Sequence, residues 1–115
     1  MQRMSISSQK NFDEMQWANY DSVVSMAISV ARYNGEKLFS CKATIRREGN
    51  YIVLKSYDTP IALYVKGSHN AALYDFLRTE YGYTATSSKH IEKFKKWLSE
   101  NGLYDSNTVY VRFIP

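Results

Sequence analysis

The chain has 115 residues, 44% of them hydrophobic and 15% aromatic, with a net charge of +4 and a pI near 9.2. A chain of this length can withdraw roughly two thirds of its extended surface from water, so it needs no covalent staple, and its apolar content excludes a disordered polyelectrolyte. One cysteine, Cys41, excludes an internal disulfide, and with only His69 and His90 beside it no zinc ligand set is visible, so no metal and no cofactor is expected.

Residues 1–11 are rich in Ser and Gln without a hydrophobic period and read as a flexible arm, leaving 12–115 as a single domain. They also lack the apolar stretch of an export signal, which points to the cytoplasm. Phe12, Met15 and Trp17 would dock the arm, with Asp13 capping a short helix over 14–20. Residues 23–33 are the richest apolar stretch, but Ser25, Ser29 and Arg32 punctuate it well short of the roughly 18 residues that cross a bilayer.

Residues 24–30 fit either period. Val24, Ala27, Ile28 and Ala31 share a helix face, whereas Val24, Met26, Ile28 and Val30 share a strand face. Asn34-Gly35 tips the reading toward a hairpin, because both residues tolerate the positive φ of a tight turn. The resulting register sets Val30 against Phe39, Ile28 against Cys41, Met26 against Ala43 and Val24 against Ile45, all apolar pairs, and makes Cys41 a buried structural thiol.

The meander continues through a turn at 48–50 into a strand over 51–57, turns again at 58–60, and runs on through Ile61, Leu63 and Val65. After a turn at 67–70, which places His69 at the surface, residues 71–77 read as a fifth strand, with a short helix as the alternative. Thr86, Ser87 or Ser88 would cap a helix over 88–101, whose stripe is Ile91, Phe94, Trp97 and Leu98 and which Asn101-Gly102 ends. A last strand covers 108–114. The expected class is α+β: a twisted, mostly antiparallel β-meander with one amphipathic helix of the C-terminal half packed on one face, and a final C-terminal strand.

Neither a Gly-x-Ser-x-Gly elbow nor a phosphate-binding Gly-Lys-Ser/Thr loop is present, and the acids show no metal-nuclease cluster, so the chain is not expected to be an enzyme. Two sets of residues could bind a partner. The wet sheet face collects Lys42, Arg46, Tyr51, Lys55, Tyr57, Tyr64 and Lys66, a mixture of cations and stacking rings that suits single-stranded nucleic acid, a protein interface, or simple solvation. The helix start gathers Thr86, Ser87, Ser88, Lys89 and His90, where amides and hydroxyls favour an anion or serve only as a cap.

Two segments, Leu54-Lys55-Ser56-Tyr57-Asp58-Thr59-Pro60-Ile61-Ala62 and Tyr83-Thr84-Ala85-Thr86-Ser87-Ser88-Lys89-His90-Ile91, resemble a family of small uncharacterised bacteriophage and mobile-element proteins. In that family an SYxTPIA strand-turn-strand precedes a YSxTTSKHI helix start. The resemblance covers about residues 49–97 and departs at Thr84 and Ser87, where Ser and Thr are the commoner residues; both keep a hydroxyl. It implies a non-catalytic accessory protein that binds a host macromolecule, with a host protein, such as a defence component to be inhibited, as the foremost partner. Nucleic acid is the alternative, an unrecognised enzyme a further one, and no membrane is expected.

Overall fold

Ile52-Val53-Leu54 and residues 61–65 are apolar at successive positions, and a strand of that kind has to be covered on both faces. A computed structural model of the chain, which describes residues 3–6, 19–32, 36–40, 42–67, 70–80 and 85–114, provides both covers. The elements in chain order are β1 (Arg3–Ile6), α1 (Tyr20–Val30), β2 (Glu36–Ser40), β3 (Ala43–Glu48), β4 (Tyr51–Ser56), β5 (Thr59–Lys66), β6 (Ala71–Asp75), the one-turn α2 (Leu77–Glu80), α3 (Ala85–Glu100) and β7 (Val109–Ile114). The strands form one sheet of order β1-β7-β6-β5-β4-β3-β2. Every pairing is antiparallel except β6 with β7, which α2 and α3 connect. The class is therefore α+β, with a mostly antiparallel sheet, a C-terminal-half helix and a closing strand.

Packing is in three layers. Val23, Ala27 and Val30 of α1 join Val53, Leu63, Val65, Tyr74, Val111 and Phe113 on one face of the sheet. Phe113 takes Tyr20 edge-on at 5.3 Å and Tyr74 nearly parallel at 6.2 Å. On the other face Ile91, Phe94 and Leu98 of α3 meet Ile45, Ile52, Leu54, Ile61, Tyr64 and Leu73. Each such side chain taken from water contributes about 1.5–3 kcal/mol.

The strand expected over 24–30 is instead helix α1. Asn19 caps it, its Oδ1 accepting the Ser22 amide at 2.9 Å, and Asp21 lies in the first turn, where the helix dipole favours an acid. Tyr20, Val23, Val24, Ala27, Val30 and Ala31 recur at helical spacing, and burial discriminates the two readings directly: Ala27, outward in a strand, is enclosed, while Ile28, inward in a strand, is 58% exposed. The single strand expected to follow the Asn34-Gly35 turn is two, β2 and β3, which fold back at Lys42 and pair Glu36 with Ile45 and Ser40 with Ala43. The Asn34-Gly35 turn itself, Cys41, His69 and the helix expected over 14–20 lie outside the described residues, save Asn19 and Tyr20, which cap and begin α1.

Part of the arm also has structure, since Arg3–Ile6 pairs with β7, Met4 opposite Phe113. β4, β5 and β6 follow the expected order, and Gly49, at φ 59°, makes the turn into β4. α3 begins at Ala85 rather than at 88, so Thr86, Ser87 and Ser88 lie within its first turns instead of capping it, while Asn101-Gly102 ends it as expected: Gly102 stands at φ 71° and the Leu103 amide closes on the Leu98 carbonyl at 2.8 Å.

Candidate functional site

With both faces covered, the expected cation and tyrosine face does not exist as one surface. Cross-strand pairs place Arg46, Tyr51 and Lys55 with Val53 on the α1 side, where Tyr51 packs against the core and the other two are half-buried. Tyr64 pairs with Ile52 on the α3 side; it is 1% exposed and its hydroxyl donates to the Leu103 carbonyl at 2.6 Å. Lys66 is exposed, but at the far end of the sheet. The strand alternation separates two covered faces rather than a covered face from a wet one.

Two members of that set, Lys42 and Tyr57, meet the helix-start set instead. β4 ends at Ser56, and Tyr57 leads the two-residue turn into β5 with φ 57°, the left-handed region that a bulky side chain seldom occupies. The turn is tied to the β2–β3 connection by the Tyr57 amide, which donates to the Lys42 carbonyl at 2.6 Å. This backbone holds the Tyr57 ring out at 43% exposure, with the Lys42 Nζ 5.6 Å from its centroid and the His90 ring 6.2 Å away.

Beneath the ring lies a polar seam between sheet and helix. Ser87, His90, Ile91, Phe94 and Leu98 form the buried stripe of α3, and its first two members are polar because they land on the end of β4 rather than on its apolar middle. The Ser56 hydroxyl is 2.7 Å from His90 Nδ1 and 3.0 Å from the Ser87 hydroxyl, with both serines fully enclosed and His90 4% exposed. Burial, then the charges of Lys93 and Lys42, pull the imidazole below its ordinary value and so favour its neutral form. Thr86, Lys89 and Lys93 are exposed along the same end of α3 and Ser88 is half-buried; Asp58 is exposed beside Tyr57. The result is a cation-rich patch around one presented ring.

Ser56 and Lys93 were not singled out from the sequence. Ser56 stands within the SYxTPIA segment, but its partners are 31 and 34 residues away, so nothing local shows that it meets Ser87 and His90.

Two other polar places are structural. Asp75 accepts the Leu77 amide at 3.0 Å and the Tyr110 hydroxyl, which caps α2 and ties β6 to β7. A cleft of about 160 Å³ at the opposite end of the sheet is lined by Tyr64, Lys66, Asn70, Asp105, Asn107 and Thr108. There the Asp105–Thr108 turn uses its own groups: the Asp105 amide donates to Thr108 Oγ1 and the Asn107 amide to Asp105 Oδ1. Among the described residues no group of three His, Cys, Asp or Glu side chains could hold a metal ion, and no helix is long and apolar enough to cross a membrane.

Comparison with curated proteins and with solved structures gives no match. A family model does match, over residues 26–109, a span that includes both turns of the Tyr57 patch and all of α3. With most of its 115 residues matched, the chain belongs to DUF8033, a family of unknown function.

Proposed function

We propose that the protein is a non-catalytic accessory protein that acts by binding a host macromolecule at the Tyr57 patch, and that a nucleic-acid single strand is the partner this patch fits. The observation that carries the reading is the Tyr57 ring, held outward by a left-handed backbone beside Lys42 and His90. An exposed ring offers a face for any base, and neighbouring ammonium groups offer charge to the phosphates. The Ser56–His90 pair does not argue for hydrolysis, because the Ser56 hydroxyl is enclosed and presents no nucleophile to a substrate.

Fluorescence anisotropy with labelled single and double strands over a salt series tests this. Single strands should bind more tightly, with affinity falling as salt rises. Tyr57→Ala should weaken binding about tenfold, within the roughly 1–3 kcal/mol that one base-ring stack contributes. Lys42→Ala should lower the salt slope by about 0.7. Absence of binding at low salt rejects nucleic acid. The resemblance to small phage proteins supports the second reading, in which the partner is an acidic surface on a host protein such as a defence component to be inhibited; capture from host lysate that survives nuclease and is lost in Tyr57→Ala distinguishes it.

A further inference from the structure

Ser87 Oγ, Ser56 Oγ and His90 Nδ1 form a continuous chain at 3.0 and 2.7 Å, closed off from water. A hydroxyl can donate and accept, so this chain has two directions. With a neutral imidazole whose proton sits on Nε2, Nδ1 accepts from the Ser56 hydroxyl and Ser56 accepts from Ser87. With an imidazolium, Nδ1 donates to Ser56 and the Ser56 proton turns toward Ser87. Only hydroxyl protons rotate between the two arrangements, and both distances suit either sense. The seam therefore accommodates both charge states of His90 without moving a heavy atom.

What favours the neutral ring is burial together with two nearby cations, Lys42 from the β2–β3 turn and Lys93 one turn further along α3. Tyr57 faces the ring from the β4–β5 turn, and Asp58 is exposed in that turn. An anion seated among those lysines would offset their charge at the imidazole. We propose, building on the Tyr57 patch as the contact site, that anion binding there is coupled to uptake of one proton by His90, with the serine chain reversing its direction. Linkage is reciprocal, so the anion should bind more tightly as pH falls.

The test is an imidazole NMR titration of the untagged full chain carrying His69→Gln, which leaves His90 as the one imidazole. It is run free, with a thymidine single strand, and with sulfate against chloride at equal ionic strength. The expected result is an upward move of the His90 midpoint with the single strand and with sulfate, and anisotropy showing several-fold tighter binding of the single strand near pH 5.5 than near pH 8. A midpoint that moves with sulfate while no single strand binds supports the coupling and rejects the nucleic-acid partner. A midpoint unmoved by either anion overturns the coupling, and if the single strand nevertheless binds, the contact site stands without it.

Discussion

Tyr57 occupies a backbone conformation that costs an L residue roughly 1–2 kcal/mol and that glycine adopts freely. Its ring contacts, one lysine near its face and one tilted imidazole, return about 1 kcal/mol at an exposed position. If the ring is there for binding, Tyr57→Gly should change folding stability by less than about 1 kcal/mol in urea unfolding, because relief of strain offsets the lost contacts, while single-strand affinity falls about tenfold. A loss of more than about 2 kcal/mol would make the ring a structural wedge instead. At this scale the sequence names the residues of the Tyr57 patch but groups them differently from the structure. Lys42 and Tyr57 were chosen as sheet-face residues, and Ser87 and His90 as a helix start. Their meeting depends on where α3 crosses the end of β4, which no spacing within either segment encodes. Tyr64 was misplaced because outward alternation means solvent only where one face is wet.

The element that sequence reading lost is α1, and the loss has a physical cause. A stretch containing Val24, Met26, Ile28 and Val30 satisfies period two, and a following Asn-Gly favours a hairpin, so local signals reinforced one another. The helix signals were present but quieter: Asn19 as cap, Asp21 in the first turn, and Ser22, Ser25 and Ser29 on the side that faces water. The deciding term was tertiary, since β4 and β5 had a second apolar face to cover and α1 covers it. Signals contained within one segment were legible: the stripe of α3 and its Asn101-Gly102 end, and β4, β5 and β6 as strands, though not the second cover that β4 and β5 carry. Ser25 tests the helix directly because it is exposed in its interior. Ser25→Pro should destabilise the protein by about 3 kcal/mol through the lost amide and the ring clash, and Ser25→Ala should stabilise it by about 0.5 kcal/mol. Both are read from urea midpoints, and a neutral proline would refute a helix there.

A three-layer molecule of this size leaves a partner only helix surfaces, sheet edges and sheet ends, and the proposed contact site is of the last kind, where β4 runs out. The same layering buries phenols, Tyr64 and Tyr74 fully and Tyr104 and Tyr110 in part. Tyr74 lies under α1, while Tyr64, Tyr104 and Tyr110 lie on the α3 side, and burial is the leading cause that raises all four, Tyr74 to about 12. In the unfolded chain these groups lose their protons near pH 10, whereas the folded protein keeps them. Above that pH the native state binds more protons than the unfolded one, so stability is intact below about pH 10 and declines as pH rises through the folded values, by about 1.4 kcal/mol per pH unit for each phenol involved. Against a total of about 5–15 kcal/mol, several phenols acting together bring the fold down near pH 12. Tyrosinate absorbance and far-UV circular dichroism followed together should therefore show one cooperative alkaline transition. Tyrosinate forming in full while the dichroism stays native would mean that the phenols reach solvent without unfolding, and that the layers are not closed over them.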